Sequence, residues 1–289
     1  MTLTRTHAAL LLAALASAAA MLPINVRIHA QTQPQAPASA AASAQQVPQP
    51  PVRPQPPARP QPPPQPARAV VLLDPAHGGP DSGATLGDHV IEKDVTLAFA
   101  ARLRAALTSA GFTVIATRDA DTPGLLTPDQ RAETANRTHA TACLVLHATA
   151  IGSGVHLYIS TLPPAPDTPD ADADSDSFVP VPWESAQAGF VDQSRHLADD
   201  LRTALAKASV PTLGGQAPLR PLDNLMCPAV AIEIAPSAAA DGSSTPASDA
   251  DYQLRVAAAL STALQAWRAQ AAAAAAAAAQ AAAQTGAPQ

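Results

Sequence analysis

Two histidines and two glutamates lie where short apolar segments of the sequence end or a helical pattern begins. His77 follows the first such segment, inside a glycine-rich turn, and His147 directly follows another. Glu233 lies near the end of a third apolar segment, and Glu92 opens a segment with helical spacing. Histidine can transfer a proton or bind a metal, and a carboxylate in an apolar strand is costly without a partner or a purpose. These residues are therefore candidates for a functional site.

Each residue also has an ordinary structural explanation when it is considered alone. His77 could be a solvated loop residue, and Glu92 is a type of residue that the positive end of a helix favours. Glu233 could form an ion pair with Arg118 or Arg220. The arrangement of the whole chain has to decide between these explanations.

Strand patterns and helix patterns alternate along the part of the chain that holds these residues. Strands are predicted at residues 69–73, 113–116, 142–146, 154–160 and 229–234. Helices are predicted at residues 92–110, 127–139, 185–208 and 251–268. This alternation predicts an α/β fold, a single domain with a mainly parallel twisted sheet and helices on both faces. In such sheets the site forms at the C-terminal strand ends, where both histidines and Glu233 would lie.

Apolar side chains at helical spacing show which faces of the predicted helices meet the core. The side chains predicted to pack inward are Val95, Phe99, Leu103 and Leu107 in the first helix, and Leu254, Ala258 and Leu264 in the last. Gly111 is expected to end the first helix, as glycine commonly does.

Composition restricts the partners and the redox state of the chain. Its 289 residues carry a formal net charge of −6 and no basic block in the central region. A nucleic-acid partner is therefore disfavoured. The two cysteines, Cys143 and Cys227, lie in or beside apolar runs, which favours buried free thiols. A disulfide is the alternative if the chain is exported.

The two ends of the chain differ in composition from the predicted domain at 69–268. Residues 1–30 have the pattern of an export signal peptide, and an uncleaved signal could instead anchor the chain transiently in the membrane. Residues 31–68 form a linker rich in Pro, Ala and Gln that cannot bury a core and is predicted to be disordered. Residues 269–289 form an Ala/Gln-rich tail, expected to be a frayed helical extension.

The ordered motifs of the central region resemble those of the zinc-dependent N-acetylmuramoyl-L-alanine amidases of the bacterial cell wall, the Amidase_3 type. The opening motif of that family, Asp-Pro-Gly-His-Gly-Gly-x-Asp-x-Gly-Ala, differs from residues 74–84 only at its third position. The Glu-Lys-Asp helix start matches residues 92–94, and the Thr-Arg step matches residues 117–118. The Arg-x-x-x-Ala-Asn helix matches residues 131–136, and the strand that ends in Glu matches residues 228–233.

The resemblance implies both a cofactor and a reaction. His77, Glu92 and His147 would bind Zn2+, and Glu233 would be the catalytic carboxylate. Two imidazoles and one carboxylate leave an open position, as in catalytic zinc sites. The implied reaction is hydrolysis of the amide between N-acetylmuramic acid and L-alanine in peptidoglycan, in the periplasm or outside the cell. Its biological role would be cell-wall remodelling or daughter-cell separation.

The chain departs from the family pattern at three places, which leaves other functions open. Ala76 replaces a glycine, Thr149 replaces an asparagine, and residues 235–238 replace the usual loop after the last strand. One alternative is therefore a degenerate module on the same fold that binds peptidoglycan without cutting it. Another is a zinc peptidase that acts on a different peptide amide.

Two further predictions concern access to the zinc and the alternative ligands. Some family members block their zinc with a helix until an activator binds. The corresponding residues, 163–182, are too rich in proline and aspartate for such a helix, which predicts an open site or regulation by another route. His89 and His156 are the next candidates as ligands, and no particular protein activator is indicated.

Overall fold

The computed structural model describes residues 69–87, 89–165, 182–239 and 241–285. These residues all belong to one unit of the chain, residues 62–289. The predicted signal peptide and linker, and most of the predicted loop at 163–182, lie outside the described residues. Among the described helices, none combines the length and the apolarity needed to cross a membrane.

A six-stranded sheet forms the centre of the fold. Its strands are β1 (Val70–Pro75), β2 (Thr113–Ala116), β3 (Ala142–Ala148), β4 (Val155–Ile159), β5 (Thr212–Gln216) and β6 (Ala229–Ile234). They lie in the order β2-β1-β3-β6-β4-β5. All neighbours are parallel except β4 and β6, which are antiparallel. A two-stranded sheet, β7 (Ser237–Ala238) with β8 (Ser244–Thr245), follows β6. The predicted α/β class is confirmed.

Helices cover both faces of the sheet, as predicted. They are α1 (Glu92–Ser109), α2 (Pro128–Asn136), α3 (Val191–Lys207) and α4 (Ala250–Thr285). Side chains of α1, α3 and α4 pack on one face, and those of α2 pack on the other. Alternate residues of β1 supply the two cores, since Leu73 belongs to the first and Leu72 to the second. The helices cover the two faces of the sheet, so the C-terminal ends of its strands remain available for a site.

Two predicted features of α1 are confirmed, and the structure adds a cap at the start of α2. The four apolar side chains predicted to pack inward from α1 are all buried. Gly111 follows the end of α1 with a φ of 81°, the conformation that makes glycine suitable there. Thr127 begins α2 with a capping box, in which its hydroxyl and the side chain of Gln130 each accept an N–H of the other residue.

Other local predictions were wrong. Leu254 and Ala258 are exposed, because Tyr252, Val256 and Leu260 form the inward face of α4. The closing helix was predicted to end at residue 268 with a frayed extension, but α4 continues as one helix through Thr285, which the high helix propensity of the Ala-rich tail favours.

Two segments adopt a different secondary structure from the predicted one. The residues before α3 form a 3₁₀ helix, Trp183–Phe190, instead of the first turns of a long α-helix. Gly189 is a poor helix former there, and the side-chain amide of Gln187 donates to the carbonyls of Leu225 and Cys227. His139 lies in a turn after α2 rather than within the helix.

The two cysteines form a disulfide, so the expectation of free thiols was wrong. Cys143 lies in β3 and Cys227 just before β6, and the pairing of these strands brings their Cα atoms to 6.1 Å. Both side chains are buried in the second core. Disulfides persist mainly in oxidising compartments, so the bond supports export of the chain.

Removing this disulfide should destabilise the domain. The bond joins residues separated by 84 positions, so its loss frees a long loop in the unfolded chain. We expect the C143A/C227A double variant to lose about 2–5 kcal/mol of unfolding free energy in urea titrations. Wild-type protein unfolded under reducing conditions should show a similar loss, and an unchanged midpoint in both experiments would contradict the prediction.

Candidate metal centre

The turn that carries His77 follows the C-terminal end of β1. Ala76 donates its N–H to the carbonyl of Leu146 at 2.9 Å, which ties the turn to β3. His77 itself has a φ of 63°, a conformation that is uncommon outside glycine. The substitution of Ala76 for glycine causes no backbone strain, because Ala76 is not among the residues with positive φ, and its side chain is buried.

A buried arginine from α2 holds this turn in place. Arg131 forms an ion pair with Asp74 at 2.7 Å, and both side chains are almost fully buried. Its guanidinium also donates to the carbonyls of Pro75 at 2.8 Å and His77 at 2.6 Å. One charged group therefore fixes the backbone on both sides of Ala76.

A second buried arginine holds the turn from the side of α1. Arg118 donates to the carbonyls of Pro75 and Ala76, each at 2.9 Å, and to that of Lys93 at 2.7 Å. These hydrogen bonds explain why Arg118 is buried. They also exclude the ion pair between Arg118 and Glu233 that the sequence analysis considered. Together the two guanidinium groups give the His77 turn a defined conformation.

Three of the predicted site residues meet at the C-terminal edge of the sheet. Nε2 of His77 lies 3.1 Å from Oε2 of Glu92, and Nδ1 of His147 lies 2.8 Å from Oε1 of the same carboxylate. One ligand atom from each of the three side chains lies within 4.8 Å of the other two. His89 and His156, the other candidate ligands, are not part of this cluster.

Neighbouring groups orient the three side chains. Glu92 accepts the N–H of Ala84 on Oε2 at 3.0 Å and the N–H of Ala148 on Oε1 at 3.2 Å. Nδ1 of His77 contacts Asp81 at 2.9 Å, which leaves Nε2 to face Glu92. A carboxylate on the second ring nitrogen is the usual means of orienting a ligating histidine.

Gly83 leaves the space in which this cluster packs. A Cβ atom at this position would lie 2.7 Å from Oε2 of Glu92 and 2.7 Å from Cδ2 of His77. Its φ of 65° is also a conformation that suits glycine. The glycine of the turn motif is therefore required both by the backbone and by the two neighbouring site residues.

The charges in the cluster suit a cation. Burial alone would raise the pKa of Glu92, but hydrogen bonds to His147 and His77 and from the Ala84 N–H hold that pKa well below its usual range. Contact with Glu92 raises the pKa of His77, burial opposes the rise, and Asp81 adds to it. Glu92 is therefore ionised at neutral pH, and a metal would compete with a proton at His77.

This donor set fits a catalytic metal. Imidazole nitrogens and one ionised carboxylate converge, and the side chains of His77 and His147 remain 22% and 27% exposed. Three protein ligands with an open fourth position are typical of catalytic zinc, whereas structural zinc sites use four. The cluster could hold a divalent metal ion that substrate can reach.

Glu233 lies on the strand next to His147. The two residues are register partners in the parallel pair β3 and β6, and both line one cleft together with Tyr158 and Leu219. The carboxylate of Glu233 is 29% exposed to this cleft. Glu233 is not part of the group of three side chains whose ligand atoms converge.

The partner of Glu233 is His156 on β4, whose Nδ1 lies 2.7 Å from Oε2 of Glu233. The alternative of an ion pair with Arg118 or Arg220 was wrong. Sequence reasoning missed this contact, because it depends on β4 running antiparallel to β6, which no local pattern indicates.

A second cleft meets the first at His147. Its lining includes His77, Asp81, Leu125 and Arg220. Because His147 lines both clefts, they meet beside the cluster and form a groove. A groove of this kind suits an extended substrate better than a small enclosed one.

The remaining departure near His147 has a structural role. Thr149 replaces the asparagine of the family pattern, and its hydroxyl accepts the N–H of Ile151 at 3.1 Å. Its own N–H donates to the carbonyl of Ile234, which closes the end of β3 against β6. After β6, Ser237 and Ala238 form β7.

The geometry agrees with comparisons to known proteins. The family model described as N-acetylmuramoyl-L-alanine amidase matches residues 71–266. A germination-specific N-acetylmuramoyl-L-alanine amidase of Bacillus subtilis (strain 168) is 39% identical over 98 residues, which cover 29% of the chain and 40% of that relative. The match therefore spans less than half of the relative's length.

Solved structures share the fold at low sequence identity. An N-acetylmuramoyl-L-alanine amidase from Clostridium difficile 630 aligns with a TM-score of 0.50 and 19% identity, covering 69% of the chain and 96% of that protein. The CwlD amidase from Clostridioides difficile, solved in complex with the GerS lipoprotein, aligns with a TM-score of 0.50 and 20% identity. That alignment covers 70% of the chain and 99% of CwlD.

Proposed function

Because the chain belongs to the N-acetylmuramoyl-L-alanine amidase family, we propose that it hydrolyses the amide bond between N-acetylmuramic acid and L-alanine in peptidoglycan. The observation that carries the proposal is the convergence of His77, Glu92 and His147, together with Glu233 in the cleft that His147 also lines. The matched family region includes all four residues. A degenerate binding module would have no need to keep this arrangement.

We infer that the metal is zinc and that His77, Glu92 and His147 bind it. Zinc is suited to this mixed set of nitrogen and oxygen donors. When bound, it would supply Lewis-acid polarisation of the scissile carbonyl and activation of a water molecule. Asp81 and the N–H groups of Ala84 and Ala148 would keep the ligands oriented.

Glu233 is assigned the role of general base and then general acid. Its carboxylate takes a proton from the attacking water and returns it to the nitrogen of L-alanine as the amide bond breaks. The carboxylate faces the cleft that His147 also lines, so it can reach a water molecule next to the metal site. The products are the muramic acid carboxylate and a stem peptide with a free L-alanine amine.

We also propose that the protein acts outside the cytoplasm. The signal-like residues 1–30 provide a route of export, and the buried disulfide is suited to an oxidising compartment. The proline-rich linker at 31–68 would separate the catalytic domain, 69–268, from the site of export. CwlD was solved with the GerS lipoprotein, so lipoproteins are the first class to test as partners.

Digestion of isolated peptidoglycan sacculi tests the activity directly. We expect mass spectrometry to find free stem peptides that begin with L-alanine, and the active protein to contain about one zinc ion per chain. A chelator should stop their release, and added zinc should restore it. Peptides that begin at another residue would indicate a zinc peptidase instead. Binding to sacculi without any release would indicate a non-catalytic module.

A further inference from the structure

The contact between His156 and Glu233 crosses the one antiparallel pair of the six-stranded sheet. The two residues lie directly opposite each other on β4 and β6, so their side chains share a face of the sheet. Nδ1 of His156 lies 2.7 Å from Oε2 of Glu233. The side chain of His156 is 8% exposed, whereas that of Glu233 is 29% exposed. The histidine is therefore the fixed partner, and the glutamate is the one that faces the cleft.

The fold holds the ring of His156 in one place. Gly152 packs against it, and a Cβ atom at Gly152 would lie 2.7 Å from Cε1 and 2.9 Å from Nε2 of the imidazole. The φ of 87° at Gly152 also suits glycine. The ring therefore has little room to turn away from Glu233.

The contact with Glu233 indicates which ring nitrogen of His156 donates. A carboxylate oxygen accepts, so Nδ1 donates its N–H to Oε2 of Glu233. Nε2 of His156 is buried and has no hydrogen-bond partner among the described residues. No hydrogen bond to Oε1 of Glu233 occurs within the part of the chain that the structure describes, which leaves that oxygen free to face substrate.

We propose that His156 is a positioning residue, which holds one carboxylate oxygen of Glu233 so that the other points at the attacking water. This inference rests on the proposed amidase function, because it gives Glu233 a role in proton transfer. General-base catalysis requires the base within hydrogen-bond reach of the proton that it takes, so a rotated carboxylate would slow the chemical step. Substrate binding depends on the rest of the groove and would not change.

Substitutions at position 156 separate positioning from packing. Asn can place an N–H donor near the position of Nδ1, whereas Leu fills similar space without a donor. We expect H156L to lower kcat by about 10- to 100-fold with unchanged KM and zinc content. H156N should recover kcat to within about threefold of wild type, since it restores the hydrogen bond. H196N is the matched control, because His196 is exposed on α3.

Two kinetic outcomes would overturn the inference. One is an H156L variant that keeps the kcat of wild type, and the other is an H156N variant that is as slow as H156L. A readout that needs no activity is the Nδ1–H proton signal of His156 by NMR, which should disappear in both H156L and E233A. If this signal is present but wild type and H196N release no stem peptides, the proposed function fails while the contact stands. If the signal is absent in wild type, the positioning role fails by itself.

Discussion

Replacing Glu233 with Gln is expected to lower peptidoglycan hydrolysis by about 10²- to 10⁴-fold, the usual contribution of a general acid–base group. Glutamine has nearly the same shape but cannot take a proton from water at neutral pH. Its side-chain oxygen can still accept the N–H of His156, so the packing of β4 against β6 should survive. Because Glu233 is outside the cluster of three ligand atoms, E233Q should also keep its zinc.

The measurement compares stem-peptide release and metal content in E233Q and in a matched variant. Glu133 lies exposed on α2, where its ion pair with Arg137 is at the surface, so E133Q should behave as wild type in both assays. Full activity in E233Q would refute the role of Glu233 as the base. Loss of zinc from E233Q would instead make Glu233 a ligand.

Local sequence patterns were sufficient to predict much of the fold, whereas the set of candidate metal ligands came from the resemblance of several motifs along the chain to one family. Apolar runs mark β1, β3 and β6, and a histidine or glutamate at the end of each run lies at the same edge of a parallel sheet. The glycines of the turn motif reflect local requirements, as Gly83 shows by its φ and by its contacts with the cluster. These features depend on neighbouring residues, so they can be read from one short segment at a time.

The features that were missed depend on pairing between distant segments. β5 contains two glycines and lies exposed at the sheet edge, so neither apolar alternation nor strand propensity indicates it. The Cys143–Cys227 bond requires that β3 and β6 be neighbours. The contact of His156 with Glu233 requires the direction of β4. Each of these features depends on how distant strands pair, which a single segment of the sequence does not indicate.

Replacing Arg131 with Met is expected to destabilise the protein by about 3–5 kcal/mol, the cost of leaving one member of a buried ion pair without its partner. Asp74 is 1% exposed, Arg131 donates to its Oδ1, and its buried Oδ2 has no hydrogen-bond partner among the described residues. Thr117 donates to Oδ1, but a hydroxyl does not balance the charge. Met fills similar volume, so the loss would come from the charge and the lost hydrogen bonds rather than from a cavity.

Urea unfolding of four proteins tests this account of the turn. R131M should show the full loss, whereas R131M/D74N should recover part of it, because the second change removes the uncompensated charge. R137M is the matched control at the end of the same helix: the exposed Arg137–Glu133 pair should be worth less than about 1 kcal/mol. Arg131 also holds the carbonyl of His77, so R131M that remains folded should bind zinc more weakly than R137M. If R131M and R137M had equal stability and equal zinc affinity, the buried pair would not be what fixes the His77 turn.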